Sequence, residues 1–297
     1  MNNLESQVML IVASLFLCGA IIISIASTRL QNRETIKELW QLYWVEFALV
    51  SMVLIPIYIG GIVLLLASLI LTWRGLWELY RIYNKPGFGL IQWSSYSGSA
   101  IALIIVFINN QLAVSLALFT AILIIFFASL LHKDKDEPLT IAFTGLLLPL
   151  LPILFLITLA NEAQGFLWLF FIYLIVELND SFAYLTGKIF GKHHPFPYLS
   201  PRKSTEGLLG GLVIAGIFGI ILGTFLLDLT LLTATGATTV IILGGLLGDF
   251  ATSALKRKLD VKDFPPIHGF HGGVLDIHDA YLFAIPSFYL YFHWVIK

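Results

Sequence analysis

Cysteine is nearly missing from this sequence. Cys18 is the single one, set in an apolar stretch, which excludes an intrachain disulfide and a cysteine-based metal site. Charge is scarce as well: Asp, Glu, Lys and Arg make up 12% of the 297 residues, against about 25% in soluble domains. With 58% hydrophobic residues and a mean hydropathy of +0.91, a water-soluble globule is excluded. There is no internal repeat, low-complexity tract or long linker, and no polar stretch long enough for an extramembrane domain. No basic segment precedes the first apolar run; Glu5 stands there, and Arg29, Arg33 and Lys37 follow it. That pattern predicts an uncleaved first helix with its N-terminus outside.

What is present is a series of long apolar runs. A hydrocarbon core of about 30 Å takes roughly 20 helical residues. Candidate spans fall at about 7–26, 45–58, 60–73, 97–109, 113–131, 139–159, 164–178, 205–227, 236–254 and 280–296. The pairs 45–58/60–73 and 97–109/113–131 are short enough for each to form one broken or re-entrant unit. The expected fold is therefore all-α: a polytopic integral membrane helical bundle of about 8–10 transmembrane helices with short loops. Two regions are expected, an N-terminal transmembrane region over 1–138 and a C-terminal one over 139–297 carrying polar motif loops.

The cations set the sidedness. With ten spans, alternate loops collect Arg29, Arg33 and Lys37; Arg74, Arg81 and Lys85; Lys133 and Lys135; Lys188, Lys192, Arg202 and Lys203; and Lys256, Arg257, Lys258 and Lys262. Only Lys297 of the 17 Lys and Arg is left over. The positive-inside rule assigns all five loops to the cytoplasm. The stretch 74–85 reads as an interfacial amphipathic helix, with Leu76, Trp77, Leu79 and Tyr80 in the headgroups as an anchor.

Three polar clusters interrupt the apolar background. In the first, Glu177, Asp180, Tyr184 and Gly187 recur at three and four residues and share one helical face. Carboxylates at the end of a membrane helix point to function, or pair with Lys188 and Lys192 as caps. The second, 199–211, joins Arg202 and Lys203 to Ser204, Thr205 and Glu206, residue types that open a helix and cap its free N–H groups. Gly207, Gly210 and Gly211 then permit close helix approach. The third, 248–279, aligns Asp249, Ser253 and Lys256 or Arg257 on one face and continues through Lys262, Asp263, His271, Gly272, Gly273, Asp276 and Asp279. Carboxylate oxygens suit Mg²⁺, Lys and Arg neutralise phosphate, and Gly-Gly allows backbone N–H groups to reach a pyrophosphate. By residue type alone, His268, His271, Asp276 and His278 also offer a zinc set. His193 and His194 read as exposed loop.

These clusters, in this order, resemble the phosphatidate cytidylyltransferase (CDP-diacylglycerol synthase) family. Ser253, Lys256, Arg257, Lys262, Asp263, His271, Gly272, Gly273, Asp276 and Asp279 fall in register with its C-terminal signature. Upstream, Asn179-Asp180, Ala183-Tyr184, Gly187, Phe190-Gly191-Lys192 and the run Ser200 to Gly207 match its second pattern. The motif match covers about 176–297; the N-terminal half agrees in apolar character alone. The resemblance implies a bacterial inner-membrane enzyme that makes CDP-diacylglycerol and pyrophosphate from CTP and phosphatidic acid, depends on Mg²⁺ with a second metal ion in some readings, and forms a homodimer. It implies catalytic roles for Asp249, Lys256, Asp276 and Asp279, and metal ligands among Asp180, Asp249 and Asp276. It implies substrate contacts from Asn179, Tyr184, Ser200, Lys203, Ser253, Arg257, Lys262, His271, Gly272 and Gly273. No nucleic-acid partner is expected.

The chain departs from the signature in places. Ile277 stands where the family has Arg after the first Asp, an aliphatic side chain that cannot replace a bidentate phosphate contact. Phe270 precedes His271 where Gly is usual, Thr252 stands where an acid is common, and His278 is the residue beside Ile277 expected to restore some cationic character. These departures carry the alternative of a non-catalytic lipid-binding relative. The acids at Glu177, Asp180 and Asp249 carry a third reading, a transporter.

Overall fold

The computed structural model describes residues 3–29, 33–83, 89–108, 121, 143–267 and 272–297. Their regular elements are all helices, with no strand among the described residues. Eight described helices are long and apolar enough to cross a bilayer. The protein is thus an integral, multi-pass, all-α membrane protein. It forms two compact units, Met1–Val63 and Leu64–Lys297. The boundary expected at 138/139, the span expected at 113–131 (Ala121 apart) and the cations Lys133 and Lys135 lie outside the described residues.

The first unit is an antiparallel pair, α1 (Asn3–Arg29) and α2 (Arg33–Ile59). Ser6 meets Tyr58 at 3.3 Å near one end, and the Tyr43 hydroxyl donates to the Phe16 carbonyl at 3.1 Å further along. Gly60 and Gly61 follow in left-handed conformation, φ 66° and 51°, where glycine has no Cβ penalty. They break the chain between α2 and α3 (Gly61–Tyr83), so 45–58 and 60–73 are parts of two full-length helices and not one broken unit.

In the second unit, α3 and α4 (Gly89–Ile108) bury Leu65, Ile91, Leu103 and Val106 with Leu150, Leu154 and Ile157 of the next span. That span enters through a wide π-helical turn, Leu146–Leu150, and continues as α5 (Leu151–Ala160). Two tight pairs follow: α6 (Gly165–Phe190) on α7 (Thr205–Leu226), and α8 (Leu231–Lys258) on α10 (Tyr281–Tyr291), with the one-turn α9 (Val274–Ile277) between the last two. Apolar surface has little reason to leave lipid, so close van der Waals contact must hold such helices together. As expected, Gly207, Gly210 and Gly211 of α7 lie against α6, where any Cβ would overlap the Ala183 carbonyl, Thr186 or the Asn179 carbonyl. Gly248 does the same on α8: a Cβ there would overlap the Asp279 carbonyl.

The last turns of α3 correct the interfacial-helix expectation. Leu76, Leu79 and Tyr80 are 2%, 0% and 6% exposed, and of the four residues assigned to the headgroups only Trp77 stays at the surface. The reason is tertiary. Leu79 packs with Leu148, Phe264 and Leu275, and the Tyr80 hydroxyl lies 2.8 Å from Ser95 Oγ. Glu78, fully buried, accepts from the backbone N–H of Val274 at 2.7 Å and of Leu275 at 3.0 Å, satisfying the free donors that open α9. Arg74, one turn earlier, lies 3.3 Å from Glu78 and donates to the carbonyls of Pro265 and Pro266 at 2.9 and 3.2 Å. A helix read as an anchor is a clasp on residues 264–266 and on the start of α9.

Two stability predictions follow from these contacts. Gly248→Ala should lower stability by about 1–3 kcal/mol, because the added methyl meets backbone and not a movable side chain; Gly216→Ala, with open space around it, should leave the unfolding midpoint unchanged or slightly raised. Glu78→Ala should cost about 3 kcal/mol by leaving two buried N–H groups without acceptors. Thermal unfolding in detergent measures all three, and an unchanged midpoint for Glu78→Ala would refute the clasp.

Candidate functional site

The ends of α3, α6 and α8 and the starts of α7 and α10 meet at one end of the second unit, and the polar residues concentrate there. Ser204 caps α7 by accepting from Gly207 N at 3.1 Å. Glu206 turns back on the preceding loop, accepting from Lys192 N at 3.0 Å and His193 N at 3.3 Å, with His193 Nδ1 at 2.6 Å from its other oxygen. The loop 191–204 is therefore closed at its base and presents Ser200, Arg202 and Lys203 to a fixed place. His193 and His194 are exposed in this loop, as expected; His193 also pairs with Glu206, and His194 Nδ1 lies 3.2 Å from the Lys203 carbonyl oxygen.

A cavity of about 710 Å³ opens beneath this loop. Its wall includes Asn179, Asp180 and Tyr184 from α6, Ser200, Arg202 and Lys203 from the loop, and Asp249 from α8. The Lys203 ammonium pairs with the Asp249 carboxylate, whose other oxygen accepts from Ser253 Oγ at 3.3 Å. Burial pulls the Lys203 ammonium below its ordinary value, and the charges of Asp180 and Asp279 pull it back up. Asp180 accepts from Asn179 Nδ2 at 3.3 Å. The Asp279 carboxyl is pushed up to about 6 by burial and then by Asp180, with Lys256 and Lys203 opposing. Three carboxylates thus share the field of one lysine.

One turn along α8, Lys256 is almost buried and donates to Asp276 Oδ1 at 2.6 Å. The second Asp276 oxygen accepts from the backbone of Phe264 at 2.7 Å and Gly273 at 3.0 Å. Gly272, at φ +115°, makes the turn before it. Gly273 has no side chain where a Cβ would overlap the Glu78 carboxylate. The N–H groups of Gly273, Val274 and Leu275 are all engaged by internal carboxylates. Hence the Gly-Gly pair admits Glu78 and Asp276 in this structure. Carboxylate donors of this kind suit a hard cation such as Mg²⁺. Asp180, Asp249 and Asp279 fit by chemistry, while Asp276 has most of its acceptor capacity used. Among the described residues no three His, Cys, Asp or Glu side chains are grouped as metal ligands; the cation these acids now share is Lys203.

Not every expected residue joins this cavity. Lys262 and Gly272 border a second one of about 1060 Å³, with Arg81 and Arg202. Arg257 Nη1 donates to the Val261 carbonyl at 3.1 Å and closes the turn after α8. His268 and His271 lie outside the described residues, so the zinc set is left with Asp276 and His278. Burial pushes the His278 imidazole below its ordinary value, so it adds no cation in place of the missing Arg. Sequence reasoning missed Arg74, Glu78, Arg81 and the half-buried Tyr281–Glu177 hydrogen bond of 2.8 Å. A carboxylate in the middle of an apolar run, four residues after an arginine, was the signal for the first two.

Comparison with known proteins bears on the same segments. The Cytidylyltransferase family model matches residues 40–295. A phosphatidate cytidylyltransferase of Staphylococcus aureus strain COL is 31% identical over 244 residues, 79% of this chain and 92% of the relative. Those of Staphylococcus saprophyticus and Staphylococcus epidermidis strain RP62A are each 29% identical over 246 and 245 residues, again 79% of this chain and 92% of theirs. The matched stretch runs from α2 to the end of the last helix and contains both cavities and the clasp on α9; on that extent of agreement, this chain belongs to the cytidylyltransferase family.

Proposed function

We propose that this protein transfers a cytidylyl group from CTP to phosphatidic acid, forming CDP-diacylglycerol and releasing pyrophosphate for phospholipid synthesis. The observation that carries this reading is the meeting of Asp180, Asp249 and Lys203 in one cavity at the end of an apolar bundle. There a phosphorylated headgroup can enter a polar space while its acyl chains stay in lipid. The names of the staphylococcal relatives support it independently.

In this reaction a phosphatidate oxygen attacks the α-phosphorus of CTP. A new phosphorus–oxygen bond forms, the bond to the oxygen bridging α- and β-phosphorus breaks, and its electron pair leaves with pyrophosphate. No side-chain nucleophile is needed. Negative charge grows on the leaving group, so fixed cations aimed at it lower the barrier. Lys203 and Arg202 border the cavity and serve that role. Lys256 is held by Asp276, with α9 fixed by Glu78, so its ammonium is oriented before substrate arrives. Asp180 and Asp249, with Asp279 beside them, would hold a Mg²⁺ ion, and that ion would supply Lewis-acid stabilisation of charge on the phosphoryl group. By the positive-inside rule this end faces the cytoplasm, where CTP is available.

Asp249→Asn and Lys203→Met should each lower the incorporation of labelled CTP into lipid by about 100-fold or more, with the purified variants still folded. Chelating divalent cations should stop the reaction and Mg²⁺ should restore it. Folded protein that forms no CDP-lipid across a Mg²⁺ titration removes this reading.

A further inference from the structure

The second cavity, about 1060 Å³, is walled by Arg81 from the end of α3, Arg202 from the 191–204 loop, Lys262 and Asp263 after α8, and Phe264 and Gly272 beyond them. Three segments far apart in sequence bring three cations to one concavity against one acid. Among the described residues none of these cations makes an ion pair, whereas Lys203, Lys256 and Arg74 each have a carboxylate. Positive-inside sorting accounts for cations at this end of the bundle but not for their meeting in one hollow. The wall is also braced. Arg74 holds the carbonyls of Pro265 and Pro266, and Asp276 holds the backbone N–H of Phe264. A braced hollow with uncompensated positive charge is preorganised for an anion.

We infer that this cavity binds a phosphate group, with Arg81 as a specificity-determining contact that lies outside the sequence signature. Arg202 borders both cavities, so a phosphate held here sits next to the Lys203–Asp249 cavity. Guanidinium groups of Arg81 and Arg202 can each take a phosphate by two parallel hydrogen bonds, and Lys262 adds a point charge. The ligand is either the polyphosphate end of a nucleotide or a lipid phosphate headgroup; the recognising chemistry is shared. This inference rests on the cytidylyl-transfer reading for those two candidates, and its test is a binding measurement that needs no turnover.

Inorganic pyrophosphate and the short-chain lipid dihexanoyl phosphatidic acid are titrated separately into purified wild-type protein and Arg81→Gln, with thermal unfolding confirming that the variant is folded. Wild type should bind at least one probe, and Arg81→Gln should weaken that binding about tenfold, with Arg81→Lys recovering part of it. Loss for pyrophosphate alone places the nucleotide tail in the cavity, and loss for the lipid alone places the headgroup there. Failure of wild type to bind either probe, or equal affinity in wild type and Arg81→Gln for both, overturns the inference. A wild-type protein that binds pyrophosphate through Arg81 yet makes no CDP-lipid would sink the proposed reaction and leave this site standing. Active protein whose probe binding ignores Arg81 would do the reverse.

Discussion

A carboxylate enclosed by an apolar bundle must find its donors inside the protein, since lipid offers none. Glu78 meets that constraint by accepting two N–H groups at the start of α9, and Asp276 meets it with two more and an ammonium. Each acid completes a backbone end that would otherwise be left unpaired. The short helix between α8 and α10 exists on these terms. Four residues of helix have almost no stability alone, because nucleation costs more than one turn returns. Remove the acids and the segment 272–277 has neither caps nor a reason to hold its turn. Everything placed by that segment, including the orientation of Lys256 and the wall of the cationic hollow, depends on the same few hydrogen bonds.

Charge at this end of the bundle is organised in two zones. In one, acids and lysines neutralise each other: Lys203 with Asp249, Lys256 with Asp276. In the other, Arg81, Arg202 and Lys262 stand together, with Asp263 the one acid among the described lining residues. Mutual neutralisation lowers the cost of keeping ionised groups in a partly desolvated place. Asp180 and Asp279 lie beside these two pairs, so the first zone has acids in excess and offers an anion little attraction. An anion arriving from solvent is attracted mainly by the second zone, and Arg202 links the two.

Much of this was legible in the residues. Length of the apolar runs, the sorted cations and the helix-opening Ser204 reported the helical membrane fold, and fixed spacing along α8 reported Asp249, Ser253 and Lys256 on one face. The misreadings have a common cause. Arg74 to Lys85 alternates charge and aromatics in a way that both an interfacial helix and a buried contact helix satisfy; only residues 264–266, 274 and 275, nearly two hundred residues later, decide between them. Gly272-Gly273 likewise permits a close approach without saying whose. Backbone N–H groups next to glycine accept a substrate phosphate or a protein carboxylate equally well, and the position of Glu78 is not written in the local pattern. Periodicity reports faces of one helix, whereas the partner of a face comes from tertiary packing.

The missing arginine after Asp276 can be understood in the same terms. Ile277 takes away one guanidinium from α9, and the neighbouring His278, held neutral by burial and bonded to the Val274 carbonyl, does not replace it. What remains around the two cavities is Lys188, Lys203, Arg202, Lys262 and Arg81, drawn from other segments. Transition-state stabilisation depends on where charge sits relative to the reacting phosphate, not on which helix supplies it. A site that loses a cation from α9 keeps its electrostatic capacity provided cations on facing elements point to the same space. Arg81 is a cation that no motif position requires, and α3 can present it there because Glu78 and Arg74 already tie that helix to the rim of the cavity.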